Sequence, residues 1–362
     1  MGSGGHEGLW TGLCDPRRRA TLRLVQPMLL PGLRWAWRAP DTVQFGVEVP
    51  RPLVITGLPS LAHDLLPLLD GSRDRDALVS TVGATGSVVD VVLERLRHFG
   101  VLIDGRRWPG GRGLTPDGLA RLLPDHRVAT TLPRFRADPA SRFDQLARTR
   151  VVVEGLSRLG AVLWTSLTAA GVARVDARDT RRVEAEDVCV GGFTPTEVGR
   201  LRSDLPALRQ PWVTRGAPRY TLQSLHVVTD AVDVESRSRR LVAAGTPHLV
   251  VTCQERIGRV GPLVVPGATP CRHCVTLSRR DRDPGWAQVW RQLDPRRAPD
   301  TDASLVAMTA HLATAHLLEW MTGGQPPSLT GQLELTAPEC STRLVPVSRH
   351  PECGCAWPDL AR

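Results

Sequence analysis

Four cysteines in two close pairs constrain this chain more than any other feature. Cys271 and Cys274 form C-x-x-C, and Cys353 and Cys355 form C-x-C about eighty residues further on. Each pair is close enough for two thiolates to grip one ion, and four thiolates complete a tetrahedral zinc shell. The first pair sits in a turn-rich knuckle after the apolar run Gly261–Val265. In the second, Gly354 lets the backbone bend. Closed all-cysteine shells are usually structural rather than catalytic. The expectation is therefore one structural Zn2+ that ties the tail to the body. His273 and His350 stand beside the ligands and could replace one of them; unrelated buried thiols or disulfides are the alternative. Cys14, Cys189, Cys253 and Cys340 show no pairing pattern. Thiolates held by metal fit a reducing cytoplasm.

A chain of 362 residues with 41% hydrophobic content predicts about two domains with real cores. No apolar run reaches the ~18 residues of a membrane span, and the first residues lack a signal-peptide pattern. A cytoplasmic protein with no membrane partner is expected. The net charge is +9, and all 46 basic residues are arginine. No chemistry here can use a lysine ammonium. The arginines are scattered, without a basic stripe interleaved with aromatics, which argues against nucleic acid. An acidic polypeptide suits the charge at least as well.

Three regions follow from the pattern along the chain. Residues 1–108 read as a small α/β unit. Short strands at Val43–Val47 and Leu53–Thr56 precede helical patterns at Leu61–Leu69, Arg75–Val82 and Val88–Phe99. Strands with three short helices suggest a winged-helix-like module. Residues 109–146 are rich in Pro, Gly and Arg and read as a connector with one short helix near Pro116–Leu123. Residues 147–362 alternate strands with helices, which predicts a mostly parallel sheet. His311 and His316, on a helix over Leu305–Met321, read as structural or surface histidines.

The larger region opens on a dinucleotide-type fingerprint: the strand Val151–Val153, a glycine turn, a helix, then an acid. The turn is G-x-S-x-x-G, with Gly155, Ser157 and Gly160, and Asp179 stands where an acid would hold ribose hydroxyls. Ser157 puts a β-carbon where the middle glycine would let phosphate approach. An ordinary βαβ unit with a vestigial turn carries about equal weight.

The run Val227–Arg237, then Gly245-Thr-Pro247, then Gly261 to the C-x-x-C knuckle, resembles the ThiF/MoeB superfamily of adenylating enzymes, across residues 148 to 355. The resemblance implies a Rossmann-like ATP site beside a four-cysteine zinc site. It assigns Asp233 to magnesium and triphosphate, Arg237 to the arginine after it, and Asp179 to ribose. Arg181 replaces the second acid of D-x-D. The arginine and glutamine expected near Glu186-Asp187-Val188 are absent, and near Val198–Arg202 only arginine could replace the phosphate lysine. These losses point to an inactive or reassigned ATP site and leave ATP doubtful as a cofactor. The C-x-C spacing is a further departure.

The whole chain more closely resembles the ocin-ThiF-like partners of YcaO cyclodehydratases in azole-forming peptide pathways. The tract Val264–Trp286 and the closing His350–Cys355 carry that likeness. It implies a leader-peptide-recognition winged helix on a degenerate ThiF-like body, a non-catalytic role in RiPP biosynthesis, and a precursor leader and a YcaO enzyme as partners. It also leaves open a homodimer through the ThiF-like domain. In such modules the leader adds as a strand between the third strand and third helix. Here Leu53, Val54 and Ile55 would receive it. Val92 and Phe99 would line the groove, and Arg95 and Arg97 could meet acidic leader residues. Rival readings are an ATP-dependent adenylyltransferase acting on a peptide or sulfur-carrier C-terminus and, more weakly, a winged-helix DNA binder.

Overall fold

The computed structural model describes residues 25–49, 51–109, 114–136, 138, 141–204, 223–229, 234–292 and 301–355. The chain forms two compact units: residues 1–110 with 126–139, and residues 111–125 with 140–362.

In the first unit, β2 (Trp35–Ala39), β3 (Thr42–Phe45) and β4 (Leu53–Ile55) form an antiparallel sheet in that order, so β4 is an edge. A separate two-stranded pair joins β1 (Pro27–Leu29) to β5 (Leu102–Asp104). Helices α1 (Ala62–Leu65), α2 (Arg75–Val82) and α3 (Gly86–His98) belong to the same unit. Asp74 caps α2 by accepting from the Ala77 N–H at 2.9 Å, and Gly83 ends it at φ +62°, a conformation glycine adopts without a β-carbon clash. Val89, Val92 and Leu96 recur at helical spacing on α3 and pack with Val43, Phe45 and Ile55 in one core.

The 109–146 stretch differs from the expected connector. It contains α4 (Pro116–Ala129), α5 (Pro133–Arg136) and α6 (Ser141–Ala147). Prolines and arginines hid a helical period whose apolar members, Leu122, Ala129 and Leu146, are buried.

The second unit is built on seven strands: β6 (Thr149–Glu154), β7 (Arg174–Arg178), β8 (Gln223–Val228), β9 (His248–Gln254), β10 (Ile257–Val264), β11 (Gly331–Thr336) and β12 (Ser341–Pro346). Their order is β12-β11-β10-β9-β8-β6-β7. The β6–β9 part is parallel, as expected. From β9 to β12 every pairing is antiparallel, so the sheet is evenly mixed rather than mostly parallel. Helices α7 (Arg158–Ala169) and α11 (Ala303–Met321) share the main core with the sheet, and buried Trp164 donates its indole N–H to the Val175 carbonyl at 2.8 Å. His311 meets Ser166 and buried His316 meets Ser328, in keeping with structural histidines. The remaining helices among the described residues are α8 (Val234–Ala243), α9 (Arg272–Arg282) and α10 (Trp286–Gln292). No helix among the described residues is long and apolar enough to cross a membrane.

Buried His248 on β9 ties α8 to the sheet, with one ring nitrogen on Ser238 at 2.7 Å and the other on the Thr246 carbonyl at 3.0 Å. Burial pushes its pKa down to about 4, against the pull of that carbonyl. Between pH 6.5 and 4 the unfolded chain therefore binds more protons, and stability falls as pH falls. The expected loss by pH 4 is roughly 3 kcal/mol. Denaturant titrations across that range should show the slope, and His248→Gln should flatten it.

Candidate functional sites

The four predicted cysteines converge. Cys271 Sγ lies 3.9 Å from Cys274 Sγ and 3.4 Å from Cys353 Sγ, while Cys274 and Cys355 are 3.5 Å apart. All four sulfurs lie within 4.8 Å of one another. A tetrahedral ion with metal–sulfur bonds of ~2.3 Å requires sulfur separations of ~3.8 Å, so the cluster can hold one metal ion. Cys271 opens α9 and Cys274 sits one turn in, which aims both sulfurs the same way. The tail reaches them through Gly354 at φ +68°. The hydrogen bond from Cys271 lowers the Cys274 thiol's pKa despite its burial, helped by the His350 N–H. The neighbouring histidines are not ligands. His273 pairs with Glu235 at 2.6 Å and His350 with Asp281 at 2.7 Å, which fixes the two segments that carry the cysteines.

The glycine turn forms as its sequence predicts. Gly155 adopts φ +94°. A β-carbon on Gly160 would lie 2.0 Å from the Gly155 carbonyl oxygen, so glycine is required for the helix to start this close to the strand. Ser157 is the N-cap position of α7.

Asp179, however, is already occupied. Its Oδ1 accepts from the Arg181 N–H at 2.9 Å and Nε at 3.0 Å, and its Oδ2 accepts from Leu156 N–H at 2.8 Å and Arg181 Nη2 at 2.7 Å. Arg202 Nη1 stands 3.5 Å from Oδ2. A carboxylate offers about four lone-pair sites, and these donors use them all. Burial would raise the carboxyl's pKa, but the Arg181 and backbone hydrogen bonds hold it far below the usual carboxylate range. Arg202 is itself buried and bonds Asp187 at 2.5 Å. Asp187, in the segment that lacks the expected arginine and glutamine, is thus tied up in a buried ion pair.

Arg237 is also engaged, donating to Glu154 Oε2 at 3.1 Å. The 2.6 Å hydrogen bond with His226 lowers the Glu154 pKa against burial, and Arg237 adds to it. Glu154 was not singled out in the sequence, because an acid ending a buried strand carries no motif of its own. Asp233 lies outside the described residues.

On the first unit, the predicted strand-and-helix pair is present with a different lining. Val92 is fully buried in the core and offers nothing to a ligand, and the Ile55 side chain is buried likewise, leaving its backbone. The helical period explains this: Val92 shares the inward face with Val89 and Leu96. Arg95 instead reaches the end of β4, and Val91 and Val88 lie one and two turns before it on the same helix face. Val91 is 58% exposed, and Arg95 Nη1 donates to the Gly57 carbonyl just past β4 at 3.1 Å. Leu53, Val54 and Phe99 are part-buried. Arg97 is drawn to Glu94 at 2.8 Å.

No protein-family model matches the sequence, and no curated protein matches it. Solved structures do share its architecture. E. coli MccB, solved with AMPCPP and MccA, superposes with a TM-score of 0.63 at 16% identity, over 90% of this chain and 98% of MccB. The fold is similar to that of MccB. The MccB–ATP complex gives a TM-score of 0.64 at 15% identity, over 91% of this chain and 99% of MccB. The heterocyclase TruD gives 0.61 at 19% identity, covering 92% of this chain and 43% of TruD. This chain spans under half of TruD.

Proposed function

We propose that the protein is a non-catalytic component of RiPP biosynthesis. On this reading the first unit is a winged-helix-like module that binds a precursor leader, and the protein presents the core peptide to a YcaO cyclodehydratase that forms azolines. The four-cysteine cluster holds structural zinc, whose bonds fix the C-terminal tail to α9. The observation that carries the reading is the saturation of Asp179. A ribose would have to displace Arg181 from a bidentate, charge-assisted pair, the strong class of hydrogen bond. Likeness to the heterocyclase TruD, and to a heterocyclase solved with substrate and cofactor, supports the pathway. The open edge of β4, with Arg95 hydrogen-bonded just past its end, supports strand addition by an extended peptide.

The rival, an ATP-dependent adenylyltransferase, draws on the intact Gly155 and Gly160 turn and on the MccB–ATP complex. ATP–pyrophosphate exchange separates the two. The protein should show none with a candidate peptide. Arg181→Ala frees acceptor positions on Asp179 and should strengthen ATP binding without creating exchange. Robust exchange by the unaltered protein, abolished by Asp233→Asn, would establish the adenylyltransferase instead.

A further inference from the structure

The other unit carries a basic cleft between α9–α10 and the strands β11 and β12. The cleft encloses about 300 Å³ and is lined by Arg279, Arg282, Trp286, Arg343 and Val345, among others. Helical spacing places Arg279 and Arg282 on its helix wall. Strand register places Arg259, Glu334 and Arg343 side by side across three strands.

The charges in this cleft do not balance. Glu334 is used twice, by Arg259 at 3.0 Å and Arg343 at 2.7 Å. Asp283 is exposed and accepts from the Gly285 N–H at 3.1 Å. Arg279 is left half-buried, its guanidinium 5.2 Å from the Trp286 ring centroid, with no side-chain hydrogen bond or ion pair among the described residues. A charge taken partly out of water is costly unless paired. Burial and the neighbouring Arg259 both push its pKa down, which shows the same strain.

We propose that this cleft binds a carboxylate of an acidic polypeptide segment. Arg279 makes the planar two-point contact that guanidinium offers a carboxylate. Arg282 and Arg343 flank it, while Trp286 and Val345 cover an adjoining apolar side chain. A free small anion would leave that apolar wall unused. A second copy of this chain is a poor occupant, since the protein carries +9 and its cleft is basic. The site is separate from the β4–α3 groove, and its test does not depend on leader binding there.

The test is fluorescence anisotropy of the full chain with a labelled seven-residue peptide alternating Glu and Leu. A Gln–Leu peptide of the same length is the control. The acidic peptide should bind at least tenfold more tightly, and binding should weaken with added salt. Arg279→Ala should weaken it about tenfold, and so should Arg343→Ala, a change at an exposed strand position that leaves the helix untouched. Arg106→Glu with Arg107→Glu alters exposed arginines of the other unit and should have little effect. Equal loss in that control, no loss in Arg279→Ala and Arg343→Ala proteins that retain metal, or displacement of the peptide by equimolar inorganic phosphate would each overturn the proposal.

Discussion

Cys353→Ser is expected to release bound metal and to lower the thermal midpoint of the second unit by about 8–16 °C. The reason is geometric. Cys353 Sγ sits 3.4 Å from Cys271 Sγ, and the tail beyond β12 meets α9 through these sulfurs, the His350–Asp281 pair and the exposed Arg280–Glu352 ion pair. A four-sulfur site does not exist in the unfolded chain, so binding free energy becomes folding free energy, about 10–16 kcal/mol in small structural zinc sites. Losing only ~4 kcal/mol of it shifts the midpoint of a unit this size by roughly 2–4 °C per kcal/mol. Cys271→Ser should act the same way, whereas exposed Cys340→Ser should keep metal and midpoint. Elemental analysis and calorimetry together check this. Soluble, folded protein free of zinc would refute it.

The second large effect is expected on leader binding. Successive N–H groups along a strand point to opposite edges, so of Val54 and Ile55 one faces β3 and the other faces the open side of β4. Proline removes the donor at either position. One of Val54→Pro and Ile55→Pro should therefore weaken leader binding about tenfold while the protein stays folded. The other should destabilise the three-stranded sheet. A backbone hydrogen bond contributes roughly 0.5–1.5 kcal/mol, and loss of fit between the new ring and the added strand supplies the remainder. Val54→Ala should bind nearly as well as the unaltered protein. Arg95→Glu should weaken binding of an acidic leader in a salt-dependent manner. Fluorescence polarisation with labelled leader reads all four, and equal binding by both proline variants would remove the strand-addition account.

The metal cluster was legible because ligand spacing is local: two short pairs needed only a fold that brings them together. The glycine turn was legible for the same reason. What spacing could not show is who occupies Asp179. Arg181 standing two residues on reads in sequence as a missing acid, yet in the structure it is the group that fills the site. Val92 was misplaced because an apolar residue on an amphipathic helix belongs to core or groove according to a rotation of about 100° per residue, and only packing against Val43 and Ile55 fixes that rotation. The antiparallel strands β11 and β12 were missed because Ser341–Pro346 is an exposed edge with no apolar face of its own. Arg279 left no trace at all, since one arginine among 46 gives no sign that it lacks a partner.

The most direct test is reconstitution with a YcaO cyclodehydratase and a candidate precursor peptide, read by mass spectrometry as loss of one water per azoline ring. The account predicts that ring formation requires this protein, persists with Asp179→Asn, and fails with the proline variant that loses leader binding. Ring formation at the same rate without the protein, or its loss with Asp179→Asn in a folded, metal-loaded protein, would contradict the account.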